Sequence, residues 1–298
     1  MPEPRRILVA GASGFTGRHL VPALLARGFE VLALTRRPEA YAGPGRAIYG
    51  DVGDEVSLTA ALAGVDIAYF LVHSLDRGDF EERDAHGALN FGGAAKANGV
   101  GQLVYLGGLG RDDDDLSAHL RSRRQVEQLL GLAGVPVTVL RAAVIIGAGG
   151  VSWQITRELG RVMPLLVAPP WARTRTQPIA IDDVVRYLVA VAGRDWARGR
   201  VFEIGGADVL DFRQMVQRAA AVQGRTLRHV ELPLVPPQAT ARSLAVLTGA
   251  DEMTVANLIE SIGNETVVTD DAITTLVPGP TLSYDEAVRR ALSPAPAH

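Results

Sequence analysis

Three glycines near the start of the chain, Gly11, Gly14 and Gly17, are the first residues whose spacing indicates chemistry. The apolar run Arg6–Ala10 precedes them, and an amphipathic run over 18–27 follows. Glycines between a buried strand and a helix let the backbone approach a pyrophosphate, which the unpaired N–H groups of the helix then hold. The pattern predicts a dinucleotide-binding turn, and an ordinary strand–turn–helix joint is the alternative. The residues expected to hold the dinucleotide are Gly11, Ser13, Gly14, Phe15, Thr16 and Gly17.

A pair of arginines indicates which dinucleotide binds. In NAD-binding chains an acid about 20 residues after the glycine turn bonds the ribose 2′-hydroxyl. Here a predicted strand over 29–34 ends at Arg36 and Arg37, and the first acid is Glu39. An arginine fork matches a 2′-phosphate through paired, charge-assisted hydrogen bonds. The sequence therefore predicts NADP(H) rather than NAD(H), with a solvated arginine-containing loop as the alternative.

The elements that must position these residues alternate between strand and helix. Apolar strands are predicted over 46–49, 65–72, 101–106, 135–140 and 200–204, and helices over 80–98 and 117–132. Continuous apolar strands separated by helices indicate a parallel sheet covered on both faces. The predicted fold is α/β, a Rossmann-type doubly wound parallel sheet with a smaller C-terminal lobe. Ligands of such sheets bind beyond the carboxyl ends of the strands, so the chemistry is expected there.

Composition excludes several classes of function. The 298 residues are 47% hydrophobic, carry a net charge of −3 and include no cysteine. Disulfides, thiolate catalysis and cysteine metal sites are therefore excluded, and neither nucleic acid nor an anionic membrane is an expected partner. The acidic run Asp112–Asp115 is expected to be a solvated loop, because four consecutive side chains cannot all converge on a cation, and no metal site is predicted. The first apolar run is too short for a signal peptide, so a cytoplasmic location is expected.

Four segments carry a resemblance to a known family. These are Gly11–Gly17, Gly50–Asp51, Leu103–Leu109 and Gln177–Asp183. Together they resemble the extended and atypical short-chain dehydrogenase/reductase superfamily, most closely its NmrA-like regulators and complex I accessory-subunit-like proteins, over roughly residues 5–205. The resemblance implies a Rossmann core and a smaller lobe that closes over the nicotinamide.

The resemblance also implies further cofactor contacts. Asp51 would contact the adenine amine, although an Asp at this point can equally cap the next helix. Val52 and Val72 are expected beside the cofactor as well.

The chain departs from this superfamily at its catalytic pair. The usual motif is Tyr-x-x-x-Lys, in which the tyrosine exchanges a proton with the substrate and the lysine lowers its pKa and holds the nicotinamide ribose. Lys96 is the single lysine of the sequence, and no tyrosine lies four residues before it. His119 stands in place of the tyrosine and Arg123 in place of the lysine, while Gly107 and Gly108 replace the serine that normally follows the fifth strand.

These replacements can still do chemistry. Arg123 can bond a ribose hydroxyl, and a histidine such as His119 can move a proton near neutral pH. The alternative for His119 is a solvent-exposed residue at a helix start. His73 and Ser74 end the fourth strand and are further catalytic candidates, with a hydrogen-bonded structural histidine as the alternative.

The second half of the chain predicts the lobe. The core is assigned to residues 1–150 with returning elements over about 178–206, and the small lobe to 151–177 and 207–298. Trp153, Met163 and Trp171 are expected to line an apolar substrate pocket, or else to form the core of the small lobe.

Two functions are consistent with these observations. The first is an NADPH-dependent reductase of a small apolar carbonyl or enone that lacks the usual Tyr-x-x-x-Lys pair. The second is a non-catalytic NADP(H)-binding regulatory, sensor or assembly protein. The first requires a small-molecule substrate, and a homo-oligomer or a protein partner is left open in both.

Overall fold

A computed structural model describes residues 5–74, 78–111, 114–231 and 237–293. Asp112 and Asp113 of the acidic run lie outside the described residues, so the solvated-loop expectation for them stays a prediction. In the described part of the chain, no helix combines the length and the apolar character that crossing a membrane requires.

The strands are short, and seven of them, β1 to β6 and β11, overlap the predicted apolar runs. They are β1 (Arg6–Ala10), β2 (Glu30–Thr35), β3 (Arg46–Tyr49), β4 (Ile67–Phe70), β5 (Gln102–Gly108), β6 (Val137–Ala142), β7 (Ile145–Ile146), β8 (Leu165–Ala168), β9 (Arg175–Thr176), β10 (Ile179–Ala180), β11 (Val201–Ile204), β12 (Leu210–Asp211) and β13 (Arg228–Glu231).

The helices lie between them. They are α1 (Phe15–Ala26), α2 (Glu55–Ala61), α3 (Phe80–Ala97), α4 (Ala118–Leu132), α5 (Val151–Val162), α6 (Ile181–Val191), α7 (Phe212–Val222), α8 (Pro237–Thr248), α9 (Glu252–Ser261), α10 (Ala272–Leu276) and α11 (Tyr284–Leu292).

A seven-stranded parallel sheet forms the centre of the fold, with the strand order β11-β6-β5-β4-β1-β2-β3. This confirms the predicted Rossmann-type α/β class. The order reverses at β1, which pairs with β2 on one side and with β4 on the other. Ligands of open α/β sheets bind at such a reversal, beyond the carboxyl ends of the strands. The fold therefore places the glycine turn after β1 at the expected binding crevice.

Both faces of the sheet are covered at its centre, which explains why the central strands are mainly apolar. Ile7 and Val9 of β1 pack in a cluster with residues of α1 and α6, whereas Leu8 and Ala10 pack in a second cluster with residues of α2, α3 and α4. Side chains alternate between the two faces of a strand, so each strand must supply apolar residues to both layers.

The elements that follow the sheet form smaller apolar clusters. The pairs β7–β10, β9–β12 and β8–β13 make short two-stranded sheets. One cluster joins α5, α7, α8 and α9, and another joins α5, α7 and α11. These smaller clusters are joined to the large sheet through α9, which packs against α4, and α4 in turn packs against β5.

Candidate functional site

The glycine turn is as tight as its sequence predicts. Gly11 adopts a positive φ of 89°, which favours glycine. A Cβ atom on Gly17 would lie 2.2 Å from the carbonyl oxygen of Gly11 and 2.7 Å from the Cα of Ala12. No side chain fits at Gly17 without moving the backbone, so this glycine lets α1 pack directly against the turn.

The start of α1 is suited to an anion. Gly14 is the residue before the first turn, no side chain caps it, and no acidic residue stands in that turn. The first N–H groups of a helix lack intrahelical partners and carry the positive end of its dipole. Because Gly14 has no side chain to cover them, these N–H groups fit the pyrophosphate of a dinucleotide.

The loop after β7 supports the start of α1. Gly150 lies against the Phe15 ring so closely that a Cβ atom there would be 3.0 Å from Phe15 Cε1. His19 contacts the same ring edge to face, with the ring centroids 5.6 Å apart. The Phe15 ring is therefore packed between the loop after β7 and the His19 side chain. This packing holds the first turn of α1 in place.

The residues predicted to hold the adenosine end lie beyond β2 and β3. Arg36 and Arg37 are both exposed immediately after β2. The Asp51 carboxylate accepts a hydrogen bond from the Gly53 N–H at 2.9 Å, whereas Asp54 is the residue that caps α2. The alternative reading of Asp51 as a helix cap is therefore wrong, because its side chain closes the turn before the cap. The Val52 carbonyl accepts a hydrogen bond from the Asn90 side chain at 3.0 Å.

A cleft of about 610 Å³ extends from the glycine turn across the carboxyl ends of β4, β5 and β6. Residues of α4, α5 and α9 form its other walls. It brings together a subset of the predicted site residues: Gly11, Ser13, Gly14, Phe15, Thr16, Gly17, Val72, His73, His119 and Arg123. It does not bring in Arg36, Arg37, Asp51, Val52, Ser74, Trp153, Met163 or Trp171, none of which is among the described residues that line it.

Arg123 and His119 stand on one face of α4, as their four-residue spacing requires. The Arg123 Nη2 donates to the Leu106 carbonyl at the end of β5, at a distance of 2.9 Å. The Arg123 Nη1 and the His119 Nδ1 are buried and have no hydrogen-bond partner among the described residues. The cleft wall therefore carries an arginine nitrogen and a histidine nitrogen with unused hydrogen-bonding capacity.

The electrostatics of this wall keep both histidines uncharged. Burial first, and then the positive charge of Arg123, lower the pKa of His119 to about 3. His73 is exposed to the cleft, but the surrounding protein and then the Arg123 charge also lower its pKa. At neutral pH both side chains are neutral imidazoles. Such a group can donate a hydrogen bond but is a poor source of a whole proton.

There is little room for a side chain at Gly108, one of the two glycines that stand in place of the usual serine. A Cβ atom on Gly108 would lie 2.7 Å from the Leu120 Cδ2 and 3.7 Å from the Arg123 Cγ. Gly108 thus lets α4 approach β5 closely enough for Arg123 to reach Leu106. A serine at this position would require the end of the Leu120 side chain to shift.

Ser74 faces a buried carboxylate that the sequence analysis missed. Asp84 is 3% exposed and accepts hydrogen bonds from both the hydroxyl and the backbone N–H of Ser74. Burial raises the pKa of Asp84, and the Arg123 charge opposes this rise. In the sequence, Asp84 lies four residues after Phe80 and four before Ala88, which are both buried residues of α3. This helical spacing places the Asp84 carboxylate on the buried face of the helix.

The three residues predicted to line one substrate pocket are separated. Trp153 is fully buried in an apolar cluster with Met215 and Tyr284, because α5 packs there against α7 and α11. Met163 and Trp171 line a different cavity, of about 440 Å³. Trp153 therefore lies in an apolar core, as the alternative prediction had it, whereas Met163 and Trp171 lie in a cavity wall.

Polar contacts from the end of α9 and the turn after it fix the start of α4, and sequence reasoning missed them. The Ser117 N–H donates to the Asn264 Oδ1 at 2.9 Å, and the Ser117 hydroxyl lies 3.1 Å from that of Ser261. Ser117 also caps α4, two residues before His119. Asn264 and Ser261 lie 147 and 144 residues after Ser117 in the sequence, so no local pattern could reveal these contacts.

Comparison with known proteins identifies the family. A family model described as NAD(P)H-binding matches residues 11–162, more than half of the 298 residues. The chain belongs to this NAD(P)H-binding family. The match begins at the first glycine of the turn, and it confirms the expectation of a nicotinamide dinucleotide cofactor. Within the described residues, no group of three or more His, Asp or Glu side chains is placed to hold a metal ion.

Relatives within the family include reductases. The chain is 31% identical over 231 residues to (4-alkanoyl-5-oxo-2,5-dihydrofuran-3-yl)methyl phosphate reductase of Streptomyces griseus, covering 76% of this chain and 77% of that protein. It is 25% identical over 291 residues to the mitochondrial NADH dehydrogenase (ubiquinone) 1 alpha subcomplex subunit 9 of Arabidopsis thaliana, covering 89% and 71% respectively. A match of 28% identity over 260 residues covers 87% of this chain but 28% of a longer uncharacterized protein of Mycobacterium tuberculosis.

Solved structures share the fold over nearly the whole chain. The NADPH-dependent quinone oxidoreductase of Escherichia coli, complexed with NADPH, has a TM-score of 0.75 at 20% identity, covering 97% of this chain and 100% of that one. The triphenylmethane reductase of Citrobacter sp., complexed with NADP(H), has a TM-score of 0.76 at 19% identity, covering 96% and 100%. The family match confirms the predicted NAD(P)H-binding family, and these structures confirm the predicted Rossmann-type fold.

Proposed function

We propose that this member of the NAD(P)H-binding family is an NADPH-dependent reductase of an apolar carbonyl or enone. One observation carries the proposal. The buried Arg123 Nη1 and His119 Nδ1 have no hydrogen-bond partner among the described residues, and both side chains line the same cleft as the glycine turn. Unpaired polar groups are costly in a protein interior, so their presence in a cleft indicates a ligand that satisfies them.

The cofactor supplies a hydride when bound, and the chain's own residues stabilise the product of its transfer. Hydride addition to a ketone carbon, or to the β-carbon of an enone, leaves a negative charge on oxygen. The fixed positive charge of Arg123 and a neutral His119 N–H can both stabilise that charge. The proton that completes the product comes from water in the cleft, because a histidine with a pKa of about 3 is not protonated at neutral pH.

Substrate preference follows from the walls of the cleft. Apart from the glycine turn and the His119–Arg123 wall, its lining is rich in aliphatic and aromatic side chains, which include Val144, Ile155, Phe212, Leu258 and Ile262. An apolar pocket with a few fixed polar groups binds an apolar molecule and orients it by one polar end. The reductase named among the relatives supports the same class of reaction.

The preference for NADPH rests on Arg36 and Arg37. Both are exposed directly after β2, which pairs with β1 and so lies next to the glycine turn. Two guanidinium groups at this point favour a 2′-phosphate over a 2′-hydroxyl.

A second function, a binding protein without turnover, is favoured by two observations. The sequence lacks the Tyr-x-x-x-Lys pair, whose tyrosine contributes roughly 10²–10⁴-fold to rate as a general acid. The Arabidopsis relative is a named subunit of an assembly, which fits a non-catalytic role with a protein partner.

The deciding experiment follows cofactor oxidation at 340 nm, a wavelength characteristic of reduced nicotinamide, with a panel of ketones, enones and quinones. Sustained oxidation of NADPH with at least one apolar carbonyl supports the reductase. Tight binding of NADPH without turnover of any of them supports the binding protein.

Cofactor preference is tested separately by titration with NADPH and NADH. Arg36→Ala and Arg37→Ala are each expected to weaken NADPH binding by about tenfold, the loss of one charged hydrogen bond, and to leave NADH binding unchanged. Equal affinity of the unmodified protein for the two dinucleotides would refute the NADPH preference.

A further inference from the structure

A second cavity, of about 440 Å³, lies beside the cleft and has no role in the chemistry proposed above. Met163, Leu166 and Trp171 form one side of it, and Leu244 and Leu247 of α8, with Thr240 and Ser243 of the same helix, form the other. Leu166 and Leu244 are almost fully buried, at 4% and 6% exposure. Protein interiors contain few voids larger than a water molecule, and an empty apolar cavity lowers stability. A space of this size and character is therefore suited to an apolar ligand group.

The second cavity and the cleft share a wall. Phe212 at the start of α7, together with Ile259 and Ile262 at the end of α9, lines both. A single layer of apolar side chains therefore separates the two spaces, and no charged residue stands in that layer.

Arg213 is the charged residue among the described residues that line the second cavity, and two carboxylates balance its charge. Arg213 donates hydrogen bonds to Asp211 at 2.6 Å and to Glu231 at 2.9 Å. Both terminal nitrogens are thus paired with carboxylates that balance the charge, whereas the buried Arg213 Nε has no hydrogen-bond partner among the described residues.

We propose that the second cavity holds the hydrocarbon tail of the substrate, whose carbonyl group lies at His119 and Arg123 in the cleft. The proposal rests on the reductase function and narrows its substrate class to a ketone or enone that carries a long alkyl chain. The tail reaches the second cavity only if the side chains of Phe212, Ile259 and Ile262 move apart, because they form the layer between the two spaces.

Chain length is the first test. A series of methyl ketones, from 2-butanone to 2-dodecanone, is compared by kcat/KM with NADPH. Burial of each added methylene is expected to raise kcat/KM by up to about fourfold, until the cavity is full and the increase stops. A kcat/KM that does not change with chain length would overturn the proposal while leaving the reductase function intact.

Filling the cavity is the second test. Met163→Trp and Leu244→Phe place bulk in it and are expected to flatten the dependence of kcat/KM on chain length. Two variants are used because Leu244 belongs to an apolar cluster and its replacement can disturb folding. Val246→Trp is the matched control, since Val246 lies on the same helix and is 84% exposed. The proposal fails if correctly folded variants keep the chain-length dependence of the unmodified protein.

A binding measurement separates this inference from the proposed function. With NADPH bound, 12-bromo-1-dodecanol cannot be reduced, and its bromine quenches a tryptophan that it touches. We expect it to quench the fluorescence of Trp171 in the second cavity, with the quenching lost in Trp171→Phe. If no ketone is reduced but this quenching is present, the reductase proposal fails and the tail cavity stands. If quenching is absent, or unchanged in Trp171→Phe, the tail cavity is refuted.

Discussion

Arg123 and Leu106 are joined by a hydrogen bond in which the Arg123 Nη2 donates to the Leu106 carbonyl oxygen at 2.9 Å. The Tyr105 hydroxyl donates to the Arg123 carbonyl at 3.1 Å, and the guanidinium carbon lies 5.4 Å from the centroid of the Tyr105 ring. The side chain and the backbone of Arg123 are therefore both tied to β5. A cation held this firmly at the carboxyl end of a central strand needs little reorganisation to stabilise a charge that develops beside it.

Arg123→Gln is expected to lower kcat/KM for carbonyl reduction by about 10²–10³-fold, the usual cost of removing one oxyanion-stabilising donor. The pKa of His119 should rise at the same time, because the Arg123 charge is one of the causes that lower it. Steady-state kinetics test the first effect and an NMR titration of the histidines tests the second. Arg121→Gln, on the exposed face of the same helix, is the control and should retain full activity. Unchanged kinetics in Arg123→Gln would exclude Arg123 from the site.

The low pKa of His119 predicts how stability depends on pH. A histidine whose pKa falls from 6.5 to about 3 on folding stays neutral in the folded protein and binds a proton when the chain unfolds. The unfolded state then binds more protons between these two values, so the free energy of unfolding decreases as the pH falls from 6.5 toward 3. Each such group contributes at most about 1.4 kcal/mol per pH unit. Urea unfolding of His119→Gln across this range should show a shallower pH dependence than the unmodified protein, and coincident slopes would contradict it.

Gly17→Ala is expected to weaken NADPH binding by about tenfold or more and to destabilise the fold by about 1–3 kcal/mol, because the added Cβ meets backbone atoms of the turn. Binding is measured by titration and stability by urea unfolding. Gly131→Ala is the matched control, since Gly131 lies within α4 and a Cβ there meets no atom within 4 Å. That control should gain up to about 1 kcal/mol in stability from helix propensity. Equal effects of the two substitutions would show that the turn tolerates a side chain.

Asp84→Ala is expected to destabilise the protein by about 1–3 kcal/mol, because it leaves the N–H and hydroxyl of Ser74 without their acceptor. Asp84→Asn should cost less, since an amide oxygen can still accept the Ser74 N–H. Urea unfolding at pH 7 gives the two free energies, and the KM for a ketone reports whether the neighbouring His73 has moved. An Asn variant as unstable as the Ala variant would argue against this hydrogen-bonding role.

The strands of the large sheet could be predicted because most of their residues are apolar. β1 sends Ile7 and Val9 to one layer and Leu8 and Ala10 to the other, so both periodicity and composition identify it. The boundaries of its neighbours differ from the predicted ones by a few residues, as at β4, which is Ile67–Phe70 rather than 65–72. The ends of a parallel strand depend on its partners, and local sequence does not contain them.

The candidate site was predictable only where its residues are close in sequence. The glycine turn and the four-residue spacing of His119 and Arg123 are local patterns with a direct physical reason. Asp84 of α3 accepts hydrogen bonds from Ser74, ten residues earlier, and Asn264 accepts one from Ser117, 147 residues before it. The separation of Trp153 from Met163 and Trp171 likewise follows from packing, because α5 turns one face into an apolar cluster.

The sequence by itself determined the fold class, the dinucleotide turn and the loss of the Tyr-x-x-x-Lys pair, because each depends on residue type and short-range spacing. Only the tertiary structure decided that His119 is uncharged, that Arg123 is anchored to Leu106 and that a second apolar cavity adjoins the cleft. Burial, charge proximity and empty volume are properties of several distant segments brought together, and no single stretch of the chain specifies them.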